Sequence, residues 1–395
     1  MDIITTTAGL AAFCATAKTR PYVTVDTEFL RERTYWSKLC LIQMALPGAD
    51  GVAAHGEAVI VDPLVAGLSL EPLYDLFRHP GTVKVFHAAR QDLEIFHHDA
   101  GVFPEPLFDS QLAAMVAGFG DQVSYETLVR KIARASLDKT SRFTDWSRRP
   151  LTQAQLDYAI ADVTHLRVIY EHLARELVKS GRQHWLDEEE AILLAPDTYV
   201  THPEDAWQRI KTRTQSGRFM AVLRELAAFR ESYAQSRDVP RSRVFKDDAL
   251  VELASTRPQT PDELSRARLL LREARKGDIA DGILSAVGRA MALKPEALPK
   301  GGDEAPQMQG NGALADLLRV LLKAKSEESG VAAKLIASAA DLDAIAAGRR
   351  DLPALHGWRM EVFGQDAIRL CAGEVALSAK GTTVKVLPLP VAVAG

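Results

Sequence analysis

Residues 22–29 read Y-V-T-V-D-T-E-F, two carboxylates set in an apolar, β-branched run with the pattern of a strand. Successive side chains on a strand alternate between faces, so Asp26 and Glu28, two positions apart, project to the same side. Ionised carboxylates avoid an apolar surround unless their charge is compensated, and a pair on one face therefore suggests a bound cation. Two acids at a strand end in water fit the same spacing, and the stretch alone leaves both readings open.

At 395 residues the chain exceeds one ordinary domain, so two or three are expected. Hydrophobic content of 47% and charged content of 25% are those of a soluble globular protein. Cys14, Cys40 and Cys371 are far apart and odd in number, which suits buried thiols in a reducing compartment better than a disulfide framework. No early run joins a basic start to a long apolar core, and no uncharged apolar run reaches the roughly 18 residues of a membrane span. A cytoplasmic protein is expected.

The net charge of −4 conceals an asymmetry. Residues 208–295 hold 18 Lys and Arg against 11 Asp and Glu, a surplus of +7 that leaves −11 for the remainder. An acidic part joined to a basic part suits a metal-dependent catalytic domain with an attached polyanion-binding module. Chance variation among solvated charges is the alternative.

The first half alternates short apolar runs with helical patterns. Strands are expected at 22–29, 38–46, 57–61, 83–87 and 106–109, and helices at 70–78, 88–100 and 125–134. Asp109 or Ser110 is placed to cap a helix running through Val116. After a loop at 138–150, D-K-T-S-R-F-T-D-W-S-R-R-P, Thr152 and Gln155 form a capping-box pattern that opens a long helix to about 179. Strands first, then α/β alternation, favour a mixed sheet flanked by helices. The acidic run 187–190 and the Pro-interrupted stretch 196–203 mark a change of domain.

Helical patterns then cover 219–236, 247–254, 260–274 and 279–292, a compact all-helical unit. The segment 299–312, P-K-G-G-D-E-A-P-Q-M-Q-G-N-G, has little to bury and reads as a linker. A second helical unit spans about 313–363, with Asp341 and Leu352-Pro353 at turn positions, and 374–393 alternates weakly, as a hairpin or a surface cover. The expected domains are 1–200, 201–296, a linker at 297–312, and 313–395.

Further acids join the opening pair. Asp92 lies early in a helix that follows a strand, where a loop delivers side chains to the carboxyl edge of a sheet, although a first-turn Asp is also favoured by the helix dipole. Tyr158 and Asp162 stand four residues apart and share a helix face. Asp26, Glu28, Asp92 and Asp162 together make an all-oxygen set suited to Mg²⁺ or Mn²⁺ rather than Zn²⁺. Two such ions about 3.5–4 Å apart bind both sides of a phosphodiester.

These motifs resemble the ribonuclease D family, in the tyrosine branch of the DEDD superfamily of exonucleases. V-D-T-E-F resembles the first motif at Asp26 and Glu28, H-A-A-R-Q-D-L-E the second at Asp92, and Y-A-I-A-D the third at Tyr158 and Asp162. The histidine branch has His five positions before the last Asp, and Asp157 stands there. The stretches R-E-R-T-Y-W-S-K-L-C-L-I-Q and D-K-T-S-R-F-T-D-W-S-R-R-P-L-T are also similar to the family. The resemblance implies a ribonuclease-H-like exonuclease domain, two-metal hydrolysis with two divalent ions, and trimming of RNA 3′ ends, transfer RNA precursors being typical substrates. It implies that the four carboxylates hold metal and that Tyr158 orients the attacking water.

The unit at 208–295 resembles the HRDC domain through L-R-E-L-A-A-F-R-E-S-Y-A, D-V-P-R-S-R-V-F-K-D-D-A-L and P-Q-T-P-D-E-L, with Phe229 where the family often has Trp. The unit at 313–373, with G-W-R-M-E-V-F-G, resembles a second, divergent copy. The expected architecture is an α/β exonuclease domain followed by two all-α HRDC-like domains, in a monomer that binds RNA with a single-stranded 3′ end and no membrane.

Candidates for RNA contact are Lys139, Arg142, Trp146, Arg148 and Arg149 in the loop, and Arg241, Arg243 and Lys246 in the helical unit. Trp146 reads equally as an anchor under the long helix. His87 reads as a core or supporting histidine, and Asp109 as a helix cap rather than a fifth ligand. Two other functions remain in view: a DNA 3′–5′ exonuclease, and a catalytically idle RNA-binding protein. No G-x-x-x-x-G-K-[ST] motif is present to indicate a nucleotide-driven motor.

Overall fold

The computed structural model describes residues 2–50, 52–53, 56–138, 144–214, 216–299 and 312–390. Most of the expected linker, residues 300–311, lies outside the described residues. Six strands form one mixed sheet: β1 (Asp2–Ile4), β2 (Tyr22–Leu30), β3 (Lys38–Ala45), β4 (Ala58–Val61), β5 (Val83–Phe86) and β6 (Leu107–Asp109), in the order β1-β4-β3-β2-β5-β6. β1 and β4 are parallel with Ile3 opposite Ile60, β3 and β4 antiparallel, and β2, β5 and β6 parallel, with Tyr22 opposite Val83 and Phe86 opposite Asp109. Parallel neighbours bring the carboxyl ends of β2, β5 and β6 to one edge, where the loops leave for helices.

The helices that follow are α1 (Thr7–Ala17), α2 (Glu71–Phe77), α3 (Arg90–Ala100), α4 (Ser110–Val116), α5 (Tyr125–Leu128), α6 (Gln153–Ser180) and α7 (Gln183–Leu193). The Thr152–Gln155 capping box starts α6, and Gly181, at φ 69°, ends it. Buried Ala159, Val163, Leu166, Ile169, Leu173 and Leu177 recur at steps of three and four, so one stripe of α6 packs inward. Asp109 rather than Ser110 caps α4. The helix expected at 125–134 is present, widened to a π-type turn over Val129–Ala133.

Contacts divide the chain into two units. One holds Met1–Glu28, Cys40–Ala195 and Gln307–Gly395, the other Phe29–Leu39 and Pro196–Pro306. In the second unit the helices are α8 (Gly217–Arg237), α9 (Arg241–Val244), α10 (Asp247–Thr256), α11 (Pro261–Ser265) and α12 (Gly277–Ala292). Its core includes Phe219, Leu223, Leu226, Phe245, Leu250 and Ile283, with Phe229 packed against it. A Cβ on Gly282 would come within 2.1 Å of the Phe229 ring, so this close approach requires glycine. The expected helix at 260–274 stops at Ser265. The backbone N–H groups of Arg268 and Leu269 bond the Glu252 carboxylate, both at 2.8 Å, in place of helical carbonyls.

The C-terminal helices belong to the first unit: α13 (Gly312–Ser329), α14 (Ala333–Ile336), α15 (Ala339–Ala346), α16 (Gly357–Arg359) and α17 (Gln365–Cys371), then the antiparallel hairpin β7 (Val375–Lys380) and β8 (Thr383–Pro388). Asp341 is not at a turn; it completes a capping box with Ser338 inside the first turn of α15. One apolar cluster runs from Tyr22 and Val85 through Leu166 and Leu186 to Leu318, Trp358 and Phe363. The acidic run 187–190 is a joint inside this unit: Trp358 Nε1 donates to Glu189 Oε1 at 2.8 Å and Arg359 pairs with Glu189 at 2.7 Å. Strand β1 and helices α1 and α7 had no expectation in the sequence.

Candidate metal centre and active site

Strand alternation puts Asp26 and Glu28 on one face of β2, and α6 brings Asp162 to them, so that one carboxylate oxygen of each lies within 4.8 Å of the others. Asp92, in the first turn of α3, stands outside that cluster. Its carboxylate is bonded by the hydroxyl of Thr27, the residue between the two strand acids. Burial, then the charge of Asp162, pushes Asp26 well above the ordinary carboxylate range, opposed by a bond from the Thr27 N–H. Burial, then the charge of Asp26, raises Asp92 in the same direction, opposed by the Thr27 hydroxyl. Crowded acids of this kind call for positive charge, and a hard oxygen donor set fits a divalent ion.

Tyr158 lies one turn before Asp162 on α6, its ring 6.1 Å from that of Trp146. Tyr125 supports the same turn from outside: its hydroxyl donates to the carbonyls of Asp162 at 2.6 Å and Ala161 at 3.1 Å. Burial pushes its phenol up, reinforced by Asp162 and Asp26. Thr27 and Tyr125 were not anticipated. The only sequence signal for Thr27 is its place between two acids, and for Tyr125 there is none.

The proposed RNA-contact residues divide. Lys139 and Arg142 lie outside the described residues. Trp146 is 2% exposed, so it is an anchor of its loop and not an open stacking surface. Arg149 forks onto Asp62 at 2.6 and 2.7 Å and bonds the Cys40 carbonyl at 2.8 Å, which fastens the loop to the sheet. Arg148 is exposed beside Asp145, and Arg243 and Lys246 are exposed in the helical unit. Arg241 is committed inside that unit: it pairs with buried Glu231 at 2.5 Å, and its Nη2 donates to the Tyr35 hydroxyl at 2.8 Å. His87 bonds Ser110 at 2.9 Å, with burial lowering its imidazole below the ordinary range. Asp109 caps α4 through the N–H groups of Gln111 and Leu112.

A mixed sheet with acids clustered on its central strand and its long helix has the donor set of a divalent-metal nuclease. Residues 1–178 match the family described as 3′–5′ exonuclease, and residues 219–287 match the HRDC domain. The chain is 62% identical to a ribonuclease D of Jannaschia sp. (strain CCS1), over 97% of this chain and 98% of that one. It is 50% identical to a ribonuclease D of Nitrobacter hamburgensis, over 98% and 99%. The crystal structure of Escherichia coli RNase D superposes with a TM-score of 0.81 at 31% identity, covering 94% of this chain and 98% of that chain. The catalytic core of RRP6 from Trypanosoma brucei, at 23% identity and a TM-score of 0.58, shares the fold over 74% of this chain and 80% of that one.

The chain belongs to the ribonuclease D family of 3′–5′ exoribonucleases. Among the described residues no helix is long and apolar enough to cross a membrane.

Proposed function

We propose that the chain trims RNA 3′ ends, transfer RNA precursors among them, and releases nucleoside 5′-monophosphates by hydrolysis at two divalent ions, Mg²⁺ or Mn²⁺. The observation that carries this reading is the gathering of Asp26, Glu28 and Asp162 oxygens within 4.8 Å, with Asp92 tied to the same strand through Thr27. Those four carboxylates would hold the ions. Bound there, such a pair supplies hydroxide at neutral pH and stabilises the leaving 3′ oxygen. In this reading Asp26, clustered with Glu28 and Asp162, would serve both ions. Tyr158, a turn from Asp162, orients the attacking water through its hydroxyl.

Residues 1–200 form the catalytic domain in this reading, 201–296 an HRDC domain, 297–312 a linker, and 313–395 a divergent second HRDC-like domain. Arg148, Arg243 and Lys246 are the exposed cations offered to RNA phosphates, in a cytoplasmic monomer. The test gives the purified chain labelled RNA and the equivalent DNA with Mg²⁺, Mn²⁺ or excess chelator. RNA shortened from its 3′ end, with no turnover in chelator and none by Asp26→Ala, is the expected result. Equal turnover in chelator defeats the two-ion reading, and a preference for DNA defeats the RNA assignment.

A further inference from the structure

Asp109 ends β6, and its carboxylate, 2% exposed, accepts from four backbone N–H groups. Gln111 at 2.7 Å and Leu112 at 3.2 Å are the ordinary cap of α4. The other two, Ala88 at 3.2 Å and Ala89 at 2.8 Å, belong to the turn between β5 and α3, the helix that carries Asp92 three residues after Ala89. Helix α3 has no side-chain cap of its own, so a carboxylate from the neighbouring strand takes these N–H groups instead.

Ala88 stands at φ 58°, the left-handed region that glycine adopts freely and a residue with a Cβ adopts at a cost. The two bonds that Ala88 and Ala89 donate to Asp109 hold that unfavourable turn. Asp109 is itself held: its backbone N–H donates to buried Glu190 of α7 at 2.7 Å. His87 and Ser110, 2.9 Å apart, tie the same two elements a second time.

We propose that Asp109 is a positioning residue for Asp92. Its carboxylate fixes the left-handed turn at Ala88 and so sets the start of α3, which places the Asp92 carboxylate against the Thr27 hydroxyl, between the two acids of β2 in the sequence. The proposal rests on the reading of Asp92 as a metal-holding residue. An α4 cap alone uses one carboxylate oxygen; the second, Oδ2, is engaged by Ala89 of the α3 turn.

The experiment substitutes Asp109→Asn in the full chain. The amide oxygen can still cap α4, while its NH₂ cannot accept from Ala89. At saturating RNA, kcat falls by about tenfold or more with KM little changed, and half-maximal rate needs more Mn²⁺, because a displaced ligand is lost in the chemical step. Adding Ala88→Gly to Asp109→Asn restores about threefold of the loss, since glycine takes the turn without the Cβ cost. The thermal midpoint, lowered because the NH₂ leaves the Ala89 N–H without its acceptor, recovers only in part with it. Wild-type kcat in Asp109→Asn overturns the proposal, as does a loss that Ala88→Gly leaves untouched and that tracks the thermal midpoint. Asp92→Ala with wild-type turnover overturns the metal reading and the proposal with it. An inactive Asp92→Ala beside a fully active Asp109→Asn overturns the proposal alone.

Discussion

Arg241 and Arg243 stand two residues apart and carry the same charge, yet the structure gives them different work. The Glu231 side chain is 2% exposed and accepts from Arg241 Nε and Nη2 at 2.5 Å each, and from the Tyr35 hydroxyl. The Arg241 guanidinium also lies over the Tyr35 ring, 4.8 Å from its centroid. Arg241→Ala therefore leaves a carboxylate buried without its cation, a defect that costs about 3–5 kcal/mol when both partners are fully buried. Arg241 is 35% exposed, so water reaches the pair, and a loss of about 2–3 kcal/mol is expected after discounting for that screening. With a urea slope of about 2 kcal/mol per molar, the unfolding midpoint of the full chain, followed by fluorescence, falls by about 1–1.5 M. Arg243→Ala, at an exposed position, stays within about 0.5 kcal/mol of wild type. Arg241→Lys keeps the charge but loses the fork and recovers only part of the stability. A wild-type urea midpoint in Arg241→Ala, with RNA affinity reduced as in Arg243→Ala, would refute the reasoning and return Arg241 to the RNA-binding surface.

Arg148→Ala, Arg243→Ala and Lys246→Ala each weaken RNA binding, and each phosphate contact removed lowers the slope of log affinity against log salt by about 1, read from filter binding at several salt concentrations. Trp358 is fully buried, stacks on Trp185 at 5.0 Å and donates to Glu189. Trp358→Ala thus costs about 3–5 kcal/mol and lowers nuclease activity near the new melting point, because the same apolar cluster continues into the sheet; loss of the C-terminal helices with an unchanged exonuclease melt would count against it. Burial pushes the Asp62 carboxyl up, but the Arg149 fork and the Leu64 N–H together outweigh it and hold Asp62 below the ordinary carboxylate value of 3.8. The unfolded chain then binds the extra proton first, so this stability is present above the ordinary value and is lost as pH falls through the lowered folded value. Urea midpoints taken between about pH 5 and pH 3 fall more steeply in wild type than in Asp62→Asn.

The sequence by itself determined whatever follows from the period of one element. A strand repeats every two residues, which sets Asp26 beside Glu28, and a helix repeats every 3.6, which sets Tyr158 over Asp162. The capping box at Thr152 and Gln155 is local in the same way. Only the tertiary structure decided the rest, because the deciding partners are remote in the chain. Asp92 is placed by Thr27, 65 residues away, and Arg241 is claimed by Tyr35, 206 residues away. The acidic run at 187–190 reads as part of a change of domain until Trp358, 169 residues from Glu189, donates to it. A charge shows in the sequence, but burial and pairing depend on what folds against it, and these settle whether an arginine or an acid faces solvent, RNA or the core.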